Sequence, residues 1–112
     1  MKTLWYRTGM DHVPPSPDPS READALSALA PILGGVPEET VDAAALRAWL
    51  RREVTRMLAW DRARLMAIVY RVDVRERDLT RSLAAPDPAG SLTEALIARM
   101  AEKLRYRQPA AS

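Results

Sequence analysis

The residues most able to bind another molecule are four arginines in the middle of the chain, which form two pairs at one-turn spacing. Arg47 and Arg51 are four residues apart, and so are Arg52 and Arg56. On a helix, side chains four apart are neighbours, so each pair of like charges is mildly destabilising. We therefore expect counter-charges opposite these arginines, from the chain itself, an acidic partner protein or the phosphates of a nucleic acid. The net charge of only +2 favours neutralisation within the chain.

Two tryptophans lie on the same stretch and suggest a protein interface. Trp49 and Trp60 are eleven residues apart, so on a continuous helix they face the same direction. Tryptophan and arginine are enriched among the residues that dominate binding energy at protein interfaces. The candidate partner-binding residues are Trp49, Arg52, Arg56 and Trp60. The alternative, which the wide apolar faces of central helices favour, is that both tryptophans pack inside the bundle.

The arginines also allow a nucleic-acid-binding function. Clustered arginines neutralise phosphates, which gives an affinity that does not depend on base sequence and that weakens steeply with salt. The candidate phosphate contacts on the arginine-rich helix face are Arg47 and Arg51, next to Arg52 and Arg56. At the basic C-terminal end of the chain they are Arg105 and Arg107.

Residues for catalysis or metal binding do not form a recognisable constellation. The chain has no cysteine, its single histidine, His12, lacks a second ligand at a suitable spacing, and no glycine-rich phosphate loop is present. Glu38, Glu39 and Asp42 could contribute to a metal site, but no other carboxylate or histidine cluster accompanies them. We therefore expect a non-enzymatic protein without a metal or cofactor.

A helical pattern positions these side chains. Between residues 40 and 74 apolar residues recur at three- and four-residue steps, and we expect this segment to organise the fold. Asp61 would lie in the middle of the apolar stripe, where burying an unpaired carboxylate is expensive. The pattern therefore predicts a break at 59–61, with Asp61 capping a second helix over about 62–71. One kinked helix, with Asp61 meeting an arginine of another element, is the alternative.

A short helix is predicted before this central segment. Ser20 is its expected N-cap, and Gly34-Gly35 ends it. Pro31 has no N–H and is expected to stop the regular helix near Ala30.

Two more helices are predicted after the central segment. Asp73 and Glu76 have the spacing of a capping box for a short helix, and Ser91 and Glu94 have it for the last one. The fold class is therefore all-α, a compact bundle of four to five helices in a single domain over residues 20–107.

The ends of the chain lie outside the predicted bundle. Residues 1–19 are rich in proline and are predicted to form a flexible tail, and residues 108–112 are predicted to be disordered. No run of about 18 apolar residues predicts a membrane span. The first ten residues lack the apolar core of a signal peptide, so a cytoplasmic location is expected.

One segment resembles a pattern found in small uncharacterised bacterial helical proteins. The segment LMAIVYRVDV at 65–74, followed by Glu76 and later by LIARMAEKLRYR, is similar to their apolar helix, Tyr-Arg-x-Asp-Val junction, capped short helix and basic last helix. The resemblance covers about residues 45–107. It implies a compact helical fold and bacterial origin, and no particular activity.

Taken together, these features predict an adaptor or accessory subunit that acts through helix-mediated contact. Its partner would be another protein or a second copy of the chain, as in a homo-oligomer. The alternative is a nucleic-acid-binding protein. Arginine supplies fifteen of the seventeen basic residues, which GC-rich coding would also produce, so arginine abundance alone does not choose between them.

Overall fold

The computed structural model describes residues 19–35 and 42–107, and within these ranges the chain forms five α-helices and no β-strand. The predicted all-α bundle is confirmed. The helices are α1 (Pro19–Ile32), α2 (Ala43–Trp60), α3 (Arg62–Val72), α4 (Glu76–Leu83) and α5 (Pro88–Arg107). The rest of the predicted N-terminal tail, the predicted disordered C-terminus and the acidic pair at 38 and 39 lie outside the described residues. None of the five helices is long and apolar enough to cross a membrane.

The last helix, α5, is the element that contacts all the others. Its residues Leu92, Leu96, Ile97 and Met100 are buried at three- and four-residue steps, and they share one hydrophobic core with residues of α1, α2 and α3. The expectation that segment 40–74 organises the fold was wrong. A long apolar stripe shows how much of a segment is covered, but it does not show how many neighbours cover it.

Asp61 separates α2 from α3 and caps both helices. Its backbone N–H donates to the Met57 carbonyl at 2.8 Å, which closes α2. Its carboxylate accepts from the Arg64 N–H at 3.2 Å, which caps α3. The predicted break and cap are confirmed. Because the side chain of Asp61 is exposed, its charge keeps its hydration and needs no buried partner.

The C-terminal end of α1 agrees with the prediction, and its N-terminal end does not. Gly34 and Gly35 have φ of 104° and 100°, a region that favours glycine, and the Gly35 N–H donates to the Ala30 carbonyl at 2.8 Å. The two glycines end α1 as predicted. Pro31 lies inside α1 without stopping it, and Ser20 is a helical residue rather than the cap that precedes the helix.

Asp73 ends α3 and does not begin α4, which corrects the predicted capping box. Its backbone is left-handed, with φ 69° and ψ 46°, and its N–H donates to the Val69 carbonyl at 2.9 Å. Aspartate tolerates this conformation better than most residues. The residue before α4 is Arg75, which makes no side-chain cap.

The start of α5 lies three residues before the predicted cap at Ser91. The helix begins at Pro88, and the Asp87 carboxylate accepts from the Gly90 N–H at 3.1 Å. Proline suits the first helical position because its missing N–H would have no helical partner there. Residues 88–90 therefore already belong to the first turn of α5.

Candidate partner-binding surface

The C-terminal half of α2 carries a shallow hollow that collects most of the candidate binding residues. Its volume is about 340 Å³, and its lining residues are Arg51, Arg52, Thr55, Arg56, Ala59 and Trp60. We call these six residues the Trp60 surface. The side chain of Trp60 is 83% exposed, more than any other large apolar side chain in the described ranges. Three of the four predicted partner-binding residues thus meet on one face.

Trp49, the fourth predicted residue, is apart from this surface. It is 9% exposed and belongs to the hydrophobic core. Trp49 and Trp60 share a helix face but lie about 16 Å apart along its axis. Near Trp49, α1 and α5 cover α2, since Arg47 forms ion pairs with Glu22 and Glu94. The interpretation that both tryptophans pack inside is therefore right for Trp49 and wrong for Trp60, which lies where α2 ends.

The three arginines of the Trp60 surface differ in their partners. Arg51 pairs with Asp87 at 2.6 Å, and Arg56 pairs with Glu53 at 2.8 Å. The hydrogen bond that Arg56 donates to the Glu53 carboxylate raises the pKa of Arg56, so this guanidinium stays charged. Arg52 is exposed and takes part in none of the ion pairs between described residues. Pairs as exposed as those of Arg51 and Arg56 are readily exchanged for other partners.

A second hollow continues from the Trp60 surface toward the junction of α4 and α5. It measures about 440 Å³, and it is lined by Thr55, Leu58, Ala59, Arg62, Leu83, Asp87, Pro88 and Ala89. We call it the Leu83 groove. It shares Thr55 and Ala59 with the Trp60 surface, so the two hollows adjoin. Leu83 is 39% exposed in it. Arg62 lies at its edge, where its Nε donates to the Leu58 carbonyl at 3.2 Å and satisfies the C-terminal end of α2.

The sequence pattern did not reveal the Leu83 groove. In α4, Leu79 packs against the core and Ser82 is only 3% exposed, whereas Leu83 at the end of the helix stays largely outside the core. The Ser82 hydroxyl accepts from the Ser91 hydroxyl at 3.2 Å, which satisfies it inside the fold. Two leucines in an eight-residue helix do not define a face, so the pattern held no signal for the exposure of Leu83.

The predicted phosphate contacts do not form one continuous footprint. Arg47 is held by acidic residues of α1 and α5, which confirms the expected counter-charges within the chain for this residue. Arg105 lies eleven residues after Glu94 on α5, about 16 Å further along the helix. The side chain of Arg107 lies outside the described part of the structure.

In a second charged region, where the junction of α3 and α4 meets α5, basic and acidic side chains pair with one another. The Glu102 carboxylate accepts from Arg75 at 3.1 Å and from Arg99 at 3.0 Å, and Arg99 also pairs with the Asp73 carboxylate at 3.0 Å. We call these four residues the paired-charge cleft. The hydrogen bonds from Arg75 and then Arg99 lower the pKa of Glu102 below its ordinary value of 4.5. The side chain of Arg99 is only 19% exposed, so this pairing is partly shielded from water.

The described residues contain no group of three or more acidic or histidine side chains placed to hold a metal ion. The carboxylate of Asp42, one of the acids considered above, accepts from the Ala45 N–H at 2.8 Å and caps α2. No protein-family model, no curated protein and no solved structure matches the chain. Function must therefore be inferred from the chemistry of this surface.

Proposed function

We propose that the chain is a small non-enzymatic interaction module, an adaptor or accessory subunit, that binds a protein partner through the Trp60 surface. The observation that carries this proposal is the 83% exposure of Trp60 beside the exposed Arg52. A tryptophan side chain buries about 150–250 Å² when it is covered. At roughly 25 cal/mol per Å², covering it contributes on the order of 4 kcal/mol before the costs of association.

Exposure of one apolar side chain is common on protein surfaces and would not by itself indicate binding. Here three features coincide within one region. Trp60 is exposed, Arg52 has no carboxylate partner within the described ranges, and the apolar Leu83 groove adjoins both. Residues that contribute most to binding at protein interfaces are often tryptophan or arginine, and they cluster in or beside pockets.

A protein partner is favoured over a nucleic acid. Arg47, Arg51 and Arg56 already pair with carboxylates of the chain, which reduces the positive charge available to phosphates. Nucleic acid remains the alternative partner, with the same arginines as its contacts.

Photo-crosslinking tests the proposal with a matched control in the same protein. Benzoylphenylalanine replaces Trp60 in one sample and Tyr70 in another, because Tyr70 is 71% exposed and lines neither hollow. We expect position 60, but not position 70, to give a discrete crosslinked protein in cells that express the chain. Changing Arg52 and Arg56 together to alanine should lower that yield.

Three results would count against a protein partner at this surface. Equal crosslinking from positions 60 and 70 would remove the distinction between the two exposed aromatics. A yield unchanged by the paired arginine substitution would exclude the arginines from the interface. Crosslinks that nuclease treatment removes would assign the surface to nucleic acid instead.

A further inference from the structure

We infer that the occupant of this region is a short, acidic, amphipathic segment of a partner protein. Its apolar side chains enter the Leu83 groove and cover Trp60, and its carboxylates reach Arg52 and Arg62. This inference rests on the proposed function and specifies the partner's chemistry.

The shape of the region suits a segment with apolar side chains on one face. The Leu83 groove is bordered by Leu58 of α2, by Leu83 at the end of α4, and by the first turn of α5. It continues into the Trp60 surface through Thr55 and Ala59, so one ligand can contact both hollows. Amphipathic helices bind grooves of this kind by placing apolar residues one or two turns apart into them.

The charges around the two hollows favour an acidic ligand. Arg52 lines the Trp60 surface and Arg62 lines the Leu83 groove, so each hollow has one cation without a carboxylate partner in the described part of the chain. The carboxylate that lines the groove, Asp87, already pairs with Arg51. The region therefore presents an excess of positive charge, and complementary charge on the partner would set orientation and speed association.

A symmetric pair of chains fits the region less well. In a two-fold dimer the same patch meets itself, so the unpaired charges of Arg52 and Arg62 would be brought together with those of the other copy. Like charges brought together at an interface are strongly unfavourable. A partner that carries the opposite charge avoids this repulsion.

Selection from a displayed library of random twelve-residue peptides tests the inference. The full chain serves as bait, and the Trp60→Ala variant removes peptides that bind elsewhere. We expect enriched peptides to contain more acidic than basic residues and at least one large apolar residue. One enriched peptide, synthesised with a fluorescent label, should bind Trp60→Ala and the double variant Arg52→Ala/Arg62→Ala at least tenfold more weakly than the unmodified chain.

Two variants outside the hollows control for the loss of any exposed aromatic or arginine side chain. Tyr70→Ala removes an exposed aromatic and Arg77→Ala an exposed arginine, both outside the two hollows, and neither should change the affinity. Circular dichroism establishes that each variant is folded. Binding should weaken as salt increases, because exposed charges are screened.

Enrichment of neutral or basic peptides, or no enrichment, would overturn the inference. Displacement of the peptide by single-stranded DNA at equal charge would overturn the preference for a protein segment. Crosslinking from position 60 separates the proposed function from this inference. If position 60 crosslinks to a protein but the library yields no acidic peptides, the proposed function stands and only the acidic ligand is rejected. A symmetric dimer linked through position 60 would also reject it.

Discussion

The paired-charge cleft and the Trp60 surface both contain several arginines, but they differ in whether those arginines have carboxylate partners. In the cleft, Arg99 bonds to the carboxylates of Asp73 and Glu102 and joins the end of α3 to α5. Near the Trp60 surface, Arg52 and Arg62 have no carboxylate partner within the described ranges. The first arrangement serves folding, and the second leaves charge available to another molecule.

The difference arises from where acidic residues occur in the chain. Residues 46–72 contain seven basic and two acidic residues, whereas residues 73–112 contain seven and six. Arg56 pairs with Glu53 of the same helix, and the other paired arginines of α2 depend on acids from elsewhere in the chain. Glu22 and Glu94 reach Arg47, and Asp87 reaches Arg51. These acids come from α1, α5 and the residue before α5, and they do not pair with Arg52 or Arg62.

The largest expected effect separates the two tryptophans. Trp49→Ala should lower the free energy of unfolding by about 3–5 kcal/mol, because it removes a buried aromatic side chain from the core. Trp60→Ala is the matched substitution, and we expect it to change stability by less than about 0.5 kcal/mol. Urea denaturation followed by circular dichroism measures both. A comparable loss for Trp60→Ala would show that Trp60 supports the fold.

A smaller effect separates the arginines. Arg99→Ala should cost about 1–2 kcal/mol of stability, since it removes charged hydrogen bonds to Asp73 and Glu102 at a site that is partly shielded from water. Arg52→Ala is the control and should have little effect. The comparison between the two surfaces would fail if both substitutions destabilised the protein equally in thermal or urea unfolding.

Loss of the Asp61 cap should cost about 1 kcal/mol. Asp61→Ala removes the carboxylate that accepts from the Arg64 N–H, whereas Asp61→Asn keeps an oxygen that can accept the same bond. Asp61 also follows Trp60 directly, so fraying at this turn should weaken ligand binding in the alanine variant. Stability and peptide affinity measured on both variants test this. Equal losses for asparagine and alanine would argue against capping as the cause.

The smallest expected effect is a pH dependence in the paired-charge cleft. The pKa of Glu102 is lower in the folded than in the unfolded chain, so its contribution is fully present above about pH 4.5. It is lost as pH falls through the folded value. Glu102→Gln should therefore cost a few tenths of a kcal/mol at pH 7, and the difference from the unmodified protein should shrink in acid. Urea unfolding of both proteins from neutral to acidic pH measures this difference, and a difference that stays constant across that range would contradict the prediction.

The sequence predicted local features better than features that depend on distant elements. Asp61 could be recognised as a break because a single unpaired carboxylate could not lie in an apolar stripe. The exposure of Trp60 could not be predicted, because helical spacing gives the direction of a side chain and not the position of neighbouring helices along the axis. The pairing of Arg51 with Asp87, 36 residues away, depends on how α2 crosses the start of α5.

In the candidate site too, features within one helix could be predicted and features that combine several helices could not. Arg52, Arg56 and Trp60 were identified from residue type and spacing on one helix, and the structure brings them together. The Leu83 groove requires the end of α4 and the first turn of α5 to lie beside α2. No periodicity within any one segment encodes that arrangement.

Indole resonances of the three tryptophans, followed by nuclear magnetic resonance during titration with an enriched acidic peptide, test the central claim most directly. Trp60→Phe assigns the Trp60 indole signal. We expect this signal to shift to saturation, while the Trp49 indole and the backbone amide of Arg99 stay unchanged. An unmoved Trp60 signal, with shifts at Arg99 and its neighbours in the paired-charge cleft, would contradict the assignment of binding to the Trp60 surface.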